Sequence, residues 1–329
     1  MDAALDHYGD PSYTYSSFPN DSINYGNVSE EISSRNTTDY GSRNIIDDSV
    51  GIRISILVIC IFGAVGNGIV IWLLGFFIKR NPFSTYILNL AVADFGVLLA
   101  ATFLVVGYWI VFVHATHAIF FIFFFIFLFL ATYSSSQFLL TAISIDRCVA
   151  VFFPLWHRCH RPPHLSTIVC ALIWVLSFLL TAITYTLMFL YSHDKNIEQS
   201  YQFFVNSLLC LPVITIATLA LFIKVCLKAR QHRRGKLLTI ILLTLLFFLL
   251  FAFPLNVIEI LSIFNYLPIY LTHSALLLAC LNSSVNPAIY ILVGRQGKSR
   301  QRENMKMVFQ KVFKEEETCT EETPVETQL

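Results

Sequence analysis

The chain has 329 residues, 56 % of them hydrophobic and 15 % aromatic, with only 13 % charged and a formal net charge of +1. A soluble domain carries about 25 % charged residues and roughly 45–50 % apolar ones, and water offers this much apolar side chain nowhere to hide. The composition excludes an ordinary soluble enzyme, a disordered chain and a disulfide-rich secreted module. With no basic stripe interleaved with aromatics it also excludes nucleic-acid binding. The bilayer is the expected solvent.

Residues 1–52 are polar and acidic, with Asp2, Asp6, Asp10, Asp21, Glu30, Glu31, Asp39, Asp47 and Asp48 against Arg35 and Arg43. No basic-then-apolar signal peptide follows Met1, so the first apolar run is expected to act as its own anchor. This segment is expected to be extracellular and disordered. It carries three N-x-S/T sequons, at Asn20, Asn27 and Asn36, each a candidate glycosylation site.

Seven long apolar runs follow, read as spans one to seven at 53–78, 83–111, 118–149, 164–191, 201–225, 237–264 and 269–293. A bilayer needs about 20 apolar residues per helix, and the runs are continuous where barrel strands would alternate. The expected fold is an all-α membrane protein, a seven-transmembrane helix bundle over 53–293. Residues 294–314 place Met305, Val308, Phe309, Val312 and Phe313 among basic residues at helical spacing. That pattern predicts an amphipathic eighth helix lying on anionic membrane lipid. Residues 315–329 form an acidic cytoplasmic tail. Its ending, Glu326-Thr327-Gln328-Leu329, places a hydroxyl and a terminal apolar residue where a PDZ domain reads them, making Thr327 and Leu329 its candidate contacts.

Basic residues concentrate after spans one, three, five and seven, among them Lys79, Arg80, Arg158, Arg161, Arg230, Arg233, Arg234, Lys298 and Arg300. The opposite side holds Arg35, Arg43, Arg53 and Lys195. By the positive-inside rule the N terminus is extracellular and the C terminus cytoplasmic, in a multi-pass plasma-membrane protein. None of the eight cysteines falls in an expected external loop, so no external disulfide is expected.

Charges inside spans are costly and mark function by default. Asp94 lies within span two and must protonate, pair or hold a cation. Ser136, Asn282, Ser283, Asn286 and Asn67 are the oxygen-bearing candidates around it, suited to sodium. Asp146 and Arg147 close span three as an adjacent acid and base, an ion pair that a docking partner can break. Pro212, Pro254 and Pro287 interrupt spans five, six and seven and are expected hinges. Glu259 lies beyond Pro254 toward the external face. With Asp194 and Glu198 it makes an anionic mouth that draws in a cationic ligand. No fixed-period repeat argues for a transporter, and no H-E-x-x-H, paired carboxylates or G-x-S-x-G elbow argues for an enzyme.

Taken in order, these residues resemble a known family. Gly66-Asn67, Leu90-Ala-Val-Ala-Asp94, Asp146-Arg147-Cys148, Trp174, Pro212, Pro254 and Asn286-Pro287-Ala-Ile-Tyr290 are similar to the motifs of rhodopsin-like (class A) G-protein-coupled receptors. Asn81-Pro82-Phe83, Pro154-Leu-Trp-His-Arg-Cys-His-Arg-Pro162 and Leu281-Asn-Ser-Ser-Val-Asn-Pro287 resemble the Mas-related branch. The pattern departs from the wider family at Ala252, Ala220 and Cys148. Phe129 stands where amine receptors place an aspartate, which disfavours a monoamine, and the absence of a lysine in span seven excludes an opsin.

The resemblance implies a receptor and not an enzyme. An external ligand, a cationic peptide or amine-bearing molecule, binds near Glu259, Asn256, Phe129, Tyr133, Asp194 and Glu198. The bundle shifts through Asp146, Arg147, Pro254, Pro287 and Tyr290, and a heterotrimeric G protein docks at Pro154, Leu155 and the basic third loop. Apart from sodium at Asp94, no metal or cofactor is expected. Arrestin is the expected partner of the tail threonines. A receptor active without its own ligand, or a transporter, is the alternative.

Overall fold

The computed structural model describes residues 25–77, 81–113, 118–162, 164–190, 195–227, 250–251, 253–261 and 269–295. Every element among them is a helix. They are α1 (Tyr25–Phe76), α2 (Pro82–Val113), α3 (Ala118–Phe152), α4 (Pro154–Cys159), α5 (Leu165–Leu190), α6 (Lys195–Leu227), α7 (Phe253–Leu261) and α8 (Ile269–Arg295). The chain divides into two compact units, Met1–Asp47 and Asp48–Leu329. In the first, the described backbone is the opening part of α1.

Spans one to five correspond to α1, α2, α3, α5 and α6, and span seven to α8. Span six is described only as α7 and the short turn at 250–251. The described backbone of α1 is helical from Tyr25 onward. The predicted eighth helix, the acidic tail, Asn20, Asp194, the basic third loop, Thr327 and Leu329 lie outside the described residues. For Asn27, Asn36, Glu198 and Tyr290 only the backbone, which is helical, is described.

Local chemistry sets the boundaries. Asn81 caps α2: its Oδ1 accepts from the Ser84 amide at 2.6 Å, while the Asn81 amide donates to Ser84 Oγ at 2.8 Å. This reciprocal box precedes Pro82 at the first helical position, where a missing N–H costs nothing. Pro154 opens α4 in the same way. Inside α6 and α8 the helix continues through Pro212 and Pro287.

Five helices are long and apolar enough to cross a membrane among the described residues. Two-thirds of the apolar stretch of α3 is buried against 28 % of those of α1 and α5, which makes α3 the central helix. Exposed apolar residues of α5 include Ile168, Leu172, Val175, Leu179 and Ile183, a stripe at steps of three and four. In water that stripe would be a large unfavourable patch; in hydrocarbon it is the natural outer face.

Buried side chains form two clusters. One, toward the Asp146 end, centres on Leu74, Phe83, Leu90, Leu139, Leu140 and Ile214. The other centres on Ile56, Leu98, Leu130, Tyr133, Phe203 and Cys280. Asp94 falls between Ala93 of the first and Val97 of the second. Helices approach closely where glycine allows it. A Cβ on Gly63 would overlap Ser284 of α8 and Leu98 of α2, and one on Gly96 would stand 2.6 Å from Thr132 Cγ2 of α3.

Candidate functional site

At the centre of the bundle Asp94 is fully buried. Helical registers of three elements converge on it. Ser136 Oγ of α3 donates to Asp94 Oδ1 at 2.8 Å, and Asn286 Nδ2 of α8 donates to Oδ2 at 2.7 Å. Ser283, one turn before Asn286, also hydrogen-bonds to the carboxyl group. Asn67 joins from α1 at one remove: its Nδ2 donates to the Ser283 carbonyl and the Gly63 carbonyl, each at 3.0 Å. Asn282 is buried nearby, and no side-chain bond ties it to Asp94 among the described residues. The arrangement therefore unites Asp94, Ser136, Ser283 and Asn286, brings Asn67 in through backbone, and leaves Asn282 outside the knot.

Nearer the other end of α3, Phe129 and Tyr133 are one turn apart and stack with centroids 5.6 Å apart and planes 8° off parallel. The Tyr133 ring also meets Phe203 of α6 at 5.9 Å. Asn256 Nδ2 of α7 donates to the Tyr133 hydroxyl at 3.3 Å. Glu259 follows Asn256 by three residues, on the same side of α7. Phe129, Tyr133 and Asn256 are all buried, a floor of two stacked rings and an amide, and Glu259 lies about one turn further along α7 than Asn256. Asp194 and the Glu198 side chain, expected at the rim, lie outside the described residues.

Beside this floor is a polar network that reading charges alone misses. Gln202 Nε2 of α6 lies 3.2 Å from the Leu130 carbonyl, 2.8 Å from Ser134 Oγ and 2.9 Å from Thr181 Oγ1. Asn206 Nδ2, one turn on, donates to Ser134 Oγ at 2.8 Å. One residue set thus joins α3, α5 and α6. Its signal was available: two amides spaced by four in an otherwise apolar run, facing a Ser-Ser-Ser-Gln stretch.

At the far end of α3 Asp146 and Arg147 make an ion pair, Nη2 to Oδ2 at 2.8 Å, with side chains 9 % and 6 % exposed. The Arg147 guanidinium lies 4.2 Å from the centroid of the Phe83 ring in α2, an added restraint on its position. Arg161, beyond α4, places Nη2 at 2.7 Å from Asp146 Oδ1. Next to this cluster α4 presents exposed Pro154, Leu155 and Trp156. Pro254 occupies the first turn of α7 and Pro287 the interior of α8. Among the described residues no group of three or more His, Cys, Asp or Glu is placed to hold a metal ion.

Comparisons with known proteins agree with this layout. The family described as 7 transmembrane receptor (rhodopsin family) matches residues 66–290. The human Proto-oncogene Mas is 35 % identical over 262 residues, 77 % of this chain and 80 % of its own. The mouse Mas-related G-protein coupled receptor member A1 is 35 % identical over 287 residues, 80 % of this chain and 92 % of its own. The mouse Mas-related G-protein coupled receptor member H is 36 % identical over 296 residues, 85 % and 88 % respectively. With a helical bundle, a buried span-two aspartate tied to spans three and seven, and an Asp-Arg pair closing span three, the chain belongs to the rhodopsin family of seven-transmembrane receptors, in its Mas-related branch of G-protein-coupled receptors.

Proposed function

We propose that this receptor converts binding of an extracellular cationic peptide, or another amine-bearing molecule, into activation of a heterotrimeric G protein. The observation that carries the reading is the Asp146–Arg147 pair, nearly enclosed at one end of the bundle beside the exposed apolar face of α4. A buried guanidinium paired to a carboxylate across one ion pair is a contact that a competing partner can replace. Displacing it exposes a donor array on the bundle axis, and Pro154, Leu155 and Trp156 offer apolar surface beside it. Ligand binding favours the bundle in which Arg147 is free, by its differential affinity for the two states. The N terminus lies outside the cell and the C terminus inside, as the basic loops require.

The ligand end is Glu259 above the Phe129–Tyr133–Asn256 floor, with Asp194 and Glu198 adding negative charge at the rim. That sign of field concentrates cations. Phe129 supplies no carboxylate, so the cation meets Glu259 first.

A sodium ion is the implied occupant at Asp94. The residues fit it: a fully buried carboxylate with no basic partner among the described residues, surrounded by hard oxygens from Ser136, Ser283 and the Asn286 amide. When bound, the ion supplies positive charge to a carboxylate that otherwise relies on neutral donors. Arrestin and a PDZ-domain protein on the C-terminal tail, anionic lipid under 294–314, and glycans on Asn20, Asn27 and Asn36 complete the proposed partners and modifications.

The test is agonist-free and peptide-stimulated nucleotide exchange on added G-protein heterotrimers, in membranes holding the full chain. Arg147→Ala is expected to bring exchange down to the empty-membrane background with surface expression intact. Signalling that persists in this variant overturns the reading. In the same assay Glu259→Gln is expected to weaken basic peptides by about tenfold, the scale of one lost charge contact. An unchanged response removes Glu259 from the ligand site.

A further inference from the structure

We propose that Arg161 is a second, positioning guanidinium on Asp146, one that stays in place when Arg147 leaves and so makes that departure possible. The proposal rests on the reading of Asp146–Arg147 as the switch.

The geometry divides the carboxylate between two arginines. Arg147 Nη2 takes Oδ2 at 2.8 Å and Arg161 Nη2 takes Oδ1 at 2.7 Å. The two cations use different oxygens and come from different elements. Arg147 belongs to α3, whereas Arg161 belongs to the segment between α4 and α5. Arg161 is anchored independently of the switch: its Nη2 also donates to Ser166 Oγ in α5 at 2.6 Å, and its Nη1 lies 2.6 Å from His157 Nε2 in α4. Its side chain is 7 % exposed, so this is an enclosed fork with its donors committed.

His157 Nε2 lies 3.7 Å from Asp146 Oδ1, farther than the 2.7 and 2.8 Å of the two guanidinium contacts, so the arginines are the close partners of the carboxylate.

The consequence follows from the cost of an unpaired enclosed charge. Removing one partner of a buried ion pair is strongly unfavourable because the other charge is stranded. With Arg161 present, release of Arg147 vacates Oδ2 and leaves Oδ1 paired. Without Arg161, release leaves the carboxylate with neither guanidinium and only His157 Nε2 nearby, at 3.7 Å. Loss of Arg161 thus penalises the released state more than the closed one and shifts the population toward closed. A purely static clamp on the loop gives the opposite sign, since loosening the closed arrangement would raise basal activity.

The test compares full-chain wild type, Arg161→Ala, Arg161→Lys, Asp146→Asn and Asp146→Asn/Arg161→Ala in membranes, reading agonist-free exchange on added heterotrimers per receptor at the surface. Arg161→Ala is expected to lower exchange about tenfold. Arg161→Lys, which keeps the charge but loses the fork, is expected to recover part of it. In the Asp146→Asn background, adding Arg161→Ala is expected to change nothing further, because the charge it serves is gone. Exchange that is unchanged or raised by Arg161→Ala, while Arg147→Ala still silences it, overturns this proposal alone. An equal loss from Arg161→Ala in both backgrounds also overturns it, by showing a role in folding the loop. Exchange insensitive to Arg147→Ala sinks the switch reading and this inference with it.

Discussion

Single residues divide into those whose chemistry declares itself and those whose partners must be seen. Asp94 declares itself, because a carboxylate in an apolar run needs donors or a cation. Its partners were legible too, as oxygen- and amide-bearing residues in spans three and seven. What the sequence could not supply was the division of labour: Ser136 and Asn286 each own one oxygen, while Asn67 works through the Ser283 carbonyl. Asn286→Ala should therefore remove the amide donor from Oδ2 and cost about 1–3 kcal/mol, read as a lower melting temperature of the purified receptor. Asn67→Ala should leave the carboxylate's own bonds in place and weaken the α1–α8 contact. If sodium occupies the knot, replacing sodium by choline should alter basal exchange in wild type and not in Asp94→Asn. Equal responses in the two would remove the ion from Asp94. Arg161 went unremarked in the sequence except as one positive charge in a basic loop, since nothing in local spacing tells that a residue 15 positions beyond Asp146 folds back onto it.

Elements were the most legible level. Continuous apolar runs located α2, α3, α5, α6 and α8 to within a few residues, because a membrane helix has to satisfy every backbone group internally and cannot be short. Boundaries are less legible than cores, as at the start of α6, where Lys195 precedes the expected residue 201. Close approach between elements was not legible, since a glycine in an apolar run does not announce what faces it. Gly63 is the sharpest case. A methyl group there meets Ser284 and Leu98, so Gly63→Ala should separate α1 from α8 and cost about 1–3 kcal/mol, seen as reduced surface expression. Ser284→Gly in the same chain should restore part of it, whereas Ser284→Gly alone should not improve on wild type. At the start of α2, Asn81→Ala removes the Oδ1 arm of the cap, leaves the backbone amide on Ser84 Oγ, and should cost about 1 kcal/mol.

At the scale of the whole molecule, composition alone named the solvent, and the outward stripe of α5 shows what the composition is for. A charge placed on that stripe tests it. Leu172→Arg, on a residue 62 % exposed, should oppose insertion by about 2.5–3.5 kcal/mol, measured as loss of membrane-integrated chain. Arginine at an exposed position of a water-soluble protein would instead be tolerated. The molecule buries a hydrogen-bonded interior and leaves its greasiest surface outside, the reverse of a soluble fold.

The Gln202 amide carries one more implication. It has two protons, yet three oxygens from two neighbouring helices lie within 3.2 Å of its nitrogen. One oxygen is always the spare. Small sliding of α6 can trade one acceptor for another at almost no energetic expense, whereas a larger excursion must forfeit every acceptor together. Such a joint is slack over tenths of an ångström and stiff beyond, a detent that gives the bundle a threshold. Gln202→Glu, which swaps the donor for an acceptor, should erase that threshold and broaden the thermal transition.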